Sequence, residues 1–274
     1  NLYALTLEGK LKWKFTANGK LGNNPCPYNN KYVYFGSEDG NFYCVNKKGN
    51  LVWRFATDSP ISAIPVIHES IVFFGNFDGN FYALNAETGE LVWRFTCKSP
   101  SGGCDIHKDI ILVPSINKIL YALSLDGKII WTYKSKDRFT SNIKTDLYRN
   151  KIFIGSRGKG MTAIDIRTGK LVWEFTTREM TDSSSKVRGG VLYFGSFDNN
   201  FYAVDAETGK EIWHFTANGP NVGSVEVYGD KVCFGSWDCN VYCLERKTGR
   251  LIWKFHTSMG NMSDYEIDRR ADTP

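Results

Sequence analysis

A chain of 274 residues with 42% hydrophobic and 23% charged side chains has an ordinary globular composition, and its length allows it to bury roughly 73% of its unfolded surface. The net charge of +5 is spread among interspersed charges, with no basic run of five or more, which argues against a nucleic-acid footprint. No stretch approaches the ~18 consecutive apolar residues of a membrane helix, and no basic-then-apolar leader opens the chain.

The first residues, Asn1-Leu2-Tyr3-Ala4-Leu5, match Asn80-Phe81-Tyr82-Ala83-Leu84 further on. The chain therefore begins inside a repeat and is expected to be part of a longer one. Tryptophans then recur as Trp13, Trp53, Trp93, Trp131, Trp173, Trp213 and Trp253, at intervals of 40, 40, 38, 42, 40 and 40 residues. A period near 40 marks a repeat architecture, in which each unit buries its apolar face only by stacking on its neighbours.

The units Ile71–Phe95 and Val191–Phe215 show the pattern most fully. An apolar run such as Ile71–Phe74 leads to a two-residue turn, Asp78-Gly79. Asp39-Gly40, Asn117-Lys118, Gly158-Lys159, Asp198-Asn199 and Asp238-Cys239 stand in the equivalent places, and residues of this kind suit the positive φ of a tight hairpin. A second strand, Phe81–Leu84, precedes the turn Glu87-Thr88-Gly89 and a third strand carrying Trp93. A further short segment, such as Ile61–Ile67 or Val222–Val227, makes four strands per unit, and no helical period competes. The expected fold is all-β, a seven-bladed β-propeller of four-stranded antiparallel blades in one domain over 1–274. Its blades fall at about 16–55, 56–95, 96–133, 134–175, 176–215 and 216–255. Residues 1–15 and 256–274 share the closing blade, with Met262–Ile267 as a candidate inner strand.

Some units depart from the pattern. Pro114 stands where others carry Gly75 or Gly195, and a missing ladder donor predicts a weakened or irregular strand. In the fifth unit Thr162 replaces the tyrosine and Arg157-Gly158-Lys159-Gly160 replaces the acidic turn. Trp237 lies off the tryptophan stride, at the slot of Phe77 and Phe197, and reads as blade packing.

The pattern Ala-x-Asp/Asn-x-x-Thr-Gly-x-x-x-Trp stands at Ala83–Trp93, Ala163–Trp173 and Ala203–Trp213, with Cys for Ala and Glu for Asp at Cys243–Trp253. Shortened forms stand at Ala4–Trp13, Cys44–Trp53 and Ala122–Trp131. This resembles the tryptophan-docking motif of quinoprotein-type propellers, the PQQ repeats. The resemblance implies that the seven stride tryptophans dock on neighbouring blades. Quinone-dependent dehydrogenases of this kind typically have eight blades, and many carry a disulfide between adjacent cysteines, a calcium-held quinone and an aspartate base. Here no two cysteines are adjacent and no long insertion could build a cofactor chamber. The resemblance is closer to cofactor-free scaffold and sensor members. It implies a non-catalytic module with no catalytic, cofactor-binding or metal residues, recognising a protein partner or a small polar ligand, without nucleic acid or a membrane span. The alternative is a pyrroloquinoline-quinone-dependent alcohol or sugar dehydrogenase using calcium. A third reading is a ligand sensor joined to a catalytic domain.

Candidate chemistry is sparse. The hairpin aspartates Asp39, Asp78, Asp198 and Asp238 lack the clustered spacing of a calcium loop and are explained as turn formers. The four histidines, His68, His107, His214 and His256, are scattered. Thirteen residues past successive tryptophans, on the expected innermost strands, stand Lys144, Lys186, Glu226 and Glu266, with Asp264 two residues before the last. A two-residue insertion leaves Asp146 as an alternative to Lys144. These residues form either ion pairs in a wet channel or a ligand site at the channel mouth. Of the seven cysteines, Cys44 and Cys243 replace the alanine of other units and read as small hydrophobes in a reducing setting, hence a cytoplasmic expectation. Cys97 and Cys104 could instead meet across one connection, which would favour the alternative, a periplasmic or cell-surface location. No C-x-x-C pair suggests zinc.

Overall fold

Short β-branched and aromatic runs, interrupted by Asp-Gly and Thr-Gly turns, leave the backbone no regular option but extended strands paired through tight hairpins. In the computed structural model, which describes residues 1–22, 24–77, 79–97, 103–139, 147–158, 160–181, 185–221 and 223–257, every regular element is a strand. The chain divides into two compact units, Asn1–Ile143 and Lys144–Pro274.

The first unit holds four sheets. The two-stranded one pairs β1 (Leu2–Leu5) with β2 (Leu11–Phe15). Three four-stranded meanders follow: β3 (Cys26–Tyr28), β4 (Tyr32–Gly36), β5 (Asn41–Asn46) and β6 (Leu51–Ala56); β7 (Val66–His68), β8 (Ile71–Gly75), β9 (Asn80–Asn85) and β10 (Leu91–Thr96); β11 (Asp105–His107), β12 (Ile110–Pro114), β13 (Ile119–Ser124) and β14 (Ile129–Lys134). The second unit holds three more: β15 (Leu147–Tyr148), β16 (Lys151–Gly155), β17 (Met161–Asp165) and β18 (Leu171–Phe175); β19 (Lys186–Arg188), β20 (Val191–Gly195), β21 (Asn200–Asp205) and β22 (Glu211–Thr216); β23 (Glu226–Tyr228), β24 (Lys231–Ser236), β25 (Asn240–Glu245) and β26 (Leu251–His256). All pairings are antiparallel and sequential, and the seven sheets are the blades of a propeller. The candidate closing strand Met262–Ile267 lies outside the described residues.

One irregularity recurs in all seven sheets. Between the last two strands the register skips the residue before the tryptophan: Ala83 faces Trp93 while Leu84 faces Leu91, leaving Val92 unpaired. The same skip occurs at Lys12, Val52, Ile130, Val172, Ile212 and Ile252. A bulge bends its strand and re-aims the neighbouring side chain. Here that neighbour is the indole.

Within each unit the indole meets the next sheet at its Thr-Gly, Lys-Gly or Asp-Gly turn. Trp53 Nε1 donates to the Ala86 carbonyl at 3.1 Å, and a Cβ built on Gly89 would lie 2.5 Å from the Trp53 ring. Trp13 pairs likewise with Lys47 and Gly49, Trp93 with Leu125 and Gly127, Trp173 with Ala206 and Gly209, and Trp213 with Arg246 and Gly249. Gly89 has a φ of +75°, so glycine is demanded both by the backbone and by the ring lying on it. Two residues after Trp53, Trp93 and Trp173 a phenylalanine meets the tyrosine of the next sheet's third strand: Phe55–Tyr82 at 5.6 Å, Phe95–Tyr121 at 5.3 Å and Phe175–Tyr202 at 5.2 Å between centroids, all edge to face. Each such pair adds about 0.5–1.5 kcal/mol beyond the area it buries. Phe42 and Phe74, and in the second unit Phe201 and Phe234, stack at 3.9 Å.

The irregular strand expected at Pro114 is not found. Pro114 ends β12 and faces Leu120 in a ladder that runs from Ile110↔Ser124 without a register shift. At the last position of a strand the missing N–H interrupts nothing beyond it.

Two substitutions test the docking. Gly89→Ala, which forces a Cβ into the Trp53 ring at positive φ, is expected to cost about 2–4 kcal/mol in chemical denaturation. Trp93→Ala is expected to cost about 3–5 kcal/mol, and a loss under about 1 kcal/mol would show the indole to be dispensable.

Candidate functional site

The turn between the second and third strands of each four-stranded sheet combines a fixed backbone with a free side chain. After the strand-ending glycine or proline comes a serine or asparagine, then a variable residue: Glu38, Phe77, Ile116, Arg157, Phe197 or Trp237. The variable residue's N–H donates to the loop entering the same sheet, from Glu38 to Lys20 O at 2.8 Å, Phe197 to Met180 O at 3.0 Å and Trp237 to Pro220 O at 2.9 Å. The preceding hydroxyl adds a second tie, Ser37 to Lys20 O, Ser196 to Met180 O and Ser236 to Gly219 O at 3.0–3.2 Å.

The aspartate that follows is fully engaged. Asp238 accepts from Asn240 N on one oxygen at 3.0 Å, and from the Tyr242 hydroxyl at 2.6 Å and Asn218 N at 3.0 Å on the other. Asp39 and Asp198 repeat the set with Asn41, Tyr43 and Asn18, and with Asn200, Tyr202 and Arg178. Burial alone would raise the Asp39 and Asp238 carboxyls, but the convergent donors outweigh it and hold both below the ordinary aspartate value. Burial first, and the carboxylate second, push the Tyr43 and Tyr242 hydroxyls up to about 12. Asp78 lies outside the described residues. The third residue of the turn bends back at positive φ at Lys118 (71°), Asn199 (69°) and Cys239 (65°) without help from glycine.

Glu38 and Arg157 are charged and exposed, and at the other four turns the displayed residue is apolar. In the first unit Phe77 and Ile116 are exposed. In the second, Trp237 is 65% exposed and leans edge-on against Phe197, with centroids 5.2 Å apart at 78°. The reading of Trp237 as blade packing holds for its edge contact with Phe197 of the preceding sheet, while most of its ring is turned outward. An aromatic residue in a turn slot looks the same in sequence whether it faces core or solvent, and only its place one residue before the anchoring aspartate signals the difference.

Of the residues expected at a channel mouth, Lys186 and Glu226 are described. They open the adjacent innermost strands β19 and β23, and both are exposed. Lys144, Asp146, Asp264 and Glu266 lie outside the described residues, as do residues 98–102 between Cys97 and Cys104, two free and buried cysteines. An apolar cavity of about 360 Å³ lies on β25–β26, lined by Val241, Trp253, Lys254 and Phe255. The equivalent face of the preceding sheet, Phe201, Trp213 and Phe215, packs against Phe234 and Tyr242. Trp131 is buried and faces Ala122 across its ladder. Among the described residues no group of three or more His, Cys, Asp or Glu side chains could hold a metal ion. No helix among them is long and apolar enough to cross a membrane.

A family profile described as outer membrane protein assembly factor BamB matches residues 1–104 and 116–274. Among solved structures, the chain is similar to BamB from Moraxella catarrhalis, with a TM-score of 0.74 at 15% identity over 92% of this chain and 82% of that one. It is also similar to the computationally designed Ika8 protein (TM-score 0.75, 17% identity, 91% and 79%) and to a europium-containing methanol dehydrogenase (TM-score 0.74, 13% identity, 94% and 75%). At such identities the likeness establishes the propeller fold alone. Among curated sequences none matches the chain. The cytoplasmic setting expected from the cysteines finds no support in these likenesses.

The depressed carboxyls set a pH dependence. A carboxyl whose pKa is lower folded than unfolded contributes stability that is fully present above about pH 4 and lost as pH falls through the folded value. Acid titration of unfolding is expected to steepen below about pH 4, and Asp238→Asn to flatten that limb while lowering stability at pH 7. An unchanged acid limb in the variant would show Asp238 to be uninvolved.

Proposed function

The chain belongs to the PQQ-repeat family described as outer membrane protein assembly factor BamB, and on that footing we propose that it is a non-catalytic, protein-binding propeller whose contact surface is the aromatic turn pair Phe197–Trp237. The observation that carries this reading is the contrast at Trp237. Its N–H, the neighbouring Ser236 hydroxyl and the Asp238 carboxylate are all engaged, while its ring stands in solvent. A large aromatic ring on a backbone that is already ordered loses little entropy on binding, which is the property of an interface anchor. The partner is a protein presenting an apolar pocket to that ring. The description of the family as an outer-membrane assembly factor favours a periplasmic or cell-surface site of action.

The competing reading, a quinone-dependent dehydrogenase, draws on the fold likeness to methanol dehydrogenase. One experiment separates the two. A photo-crosslinking amino acid at position 237 in cells is expected to capture a discrete protein, and the same group at exposed Lys170 is not. Trp237→Ala is expected to change folding stability by less than about 0.5 kcal/mol, as surface substitutions do, while abolishing co-purification of the captured protein. No site-dependent adduct, together with dye-linked alcohol or sugar oxidation after loading with quinone and calcium, would overturn the binding reading.

A further inference from the structure

Each four-stranded sheet sets one large side chain of its second strand opposite one small side chain of its third. The pairs are Tyr34↔Cys44, Phe73↔Ala83, Leu112↔Ala122, Phe153↔Ala163 and Tyr193↔Ala203. The last sheet breaks the rule by placing Cys233 opposite Cys243. With two small residues facing each other nothing separates the sulfurs, and Sγ lies 2.8 Å from Sγ, inside ordinary non-bonded contact. Both cysteines are thiols in this structure.

The backbone already suits a covalent link. Directly opposed residues of an antiparallel pair have Cα atoms about 4.5–5.5 Å apart, within the roughly 4.4–6.8 Å that a disulfide spans. Cys243 is 1% exposed, while Cys233 is half-buried and open to a reagent. Cys26 and Cys44 both face Tyr34 across their ladders, and Cys239 sits exposed at the tip of the β24–β25 turn.

We propose that Cys233 and Cys243 are an oxidation site, closing to a cross-strand disulfide that staples the hairpin carrying Trp237. The oxidant is a disulfide, small or protein-borne. The Cys233 thiolate attacks one of its sulfurs and expels the other as a thiolate, leaving a mixed disulfide. Cys243 gives up its proton and attacks the Cys233 sulfur, expelling the second thiol. Two protein thiols are oxidised and one disulfide is reduced to two thiols, so atoms and electrons balance. Dithiol reductants run the step backwards. The site follows from register and distance, and it stands whether or not Trp237 contacts a partner.

Peptide mapping tests it. The folded protein is treated with oxidised glutathione, blocked with iodoacetamide and cut with chymotrypsin, which separates the two cysteines by cleaving after Phe234 and Trp237. The expected product joins the Cys233 and Cys243 peptides, persists in the Cys239→Ser variant and disappears after dithiothreitol. Recovery of both residues alkylated, of glutathione retained on Cys233, or of a link that requires Cys239 would overturn the proposal.

Discussion

An indole lying on a glycine of the next sheet organises each unit. The tryptophan contributes a flat apolar surface and one N–H, the next sheet's turn contributes a residue without a Cβ and a free carbonyl, and the contact needs both. Gly9 separates the two demands on that glycine. It holds a φ of +80° although an added Cβ there would meet nothing within 4 Å. The turn alone therefore requires the left-handed conformation, and the ring exploits the missing side chain. Because the indole N–H donates to a fixed carbonyl, Ala86 for Trp53 and Arg246 for Trp213, the contact sets a distance and a direction, which a purely hydrophobic stack would not. The bulge before each tryptophan aims the ring, and the phenylalanine two residues later repeats the lock on a tyrosine.

The same economy governs the turns. Asp39, Asp198 and Asp238 each gather two backbone donors and a tyrosine hydroxyl, so each loop is tied to its own sheet and to the segment entering that sheet. Once the backbone is secured, the residue before the aspartate is free to vary, and it does vary, from Glu38 through Phe77 and Phe197 to Trp237. Rigid scaffolds concentrate binding function in such positions.

The stride of the tryptophans and the Asp-Gly and Thr-Gly turns make the sheets legible before any coordinates, because period and turn chemistry are local properties. The first two strands read correctly as a third and fourth strand from the match of Asn1–Leu5 to Asn80–Leu84. Other features are not local. The recurrent bulge leaves no mark, since Val92 and Ile212 look like any strand residue. Pro114 reads as a disruption because its place at the end of the strand is settled by pairing with Leu120. Trp237 reads as blade packing, and its outward face is missed because hydrophobicity does not report which way a turn faces. Cys243 reads as a substitute for alanine, which holds for Cys44 beside Tyr34. The partner across the ladder, Cys233, comes into view only with the register.

The turn aspartates also bear on what this propeller can do. A fold likeness that extends both to a dehydrogenase and to a designed protein carries no chemistry of its own. Chemistry needs carboxylates with uncommitted oxygens, able to ligate a cation or take a proton near neutrality. At Asp39 and Asp238 both oxygens are already filled by hydrogen bonds, and the net effect of those bonds is to make the carboxyl a weaker base. Recruiting either as a metal ligand or general base would mean withdrawing it from the donors that shape its turn. At these three turns the carboxylates are committed to holding loops still, and under the proposed function the aromatic tip at Trp237 is what such a loop offers to another surface.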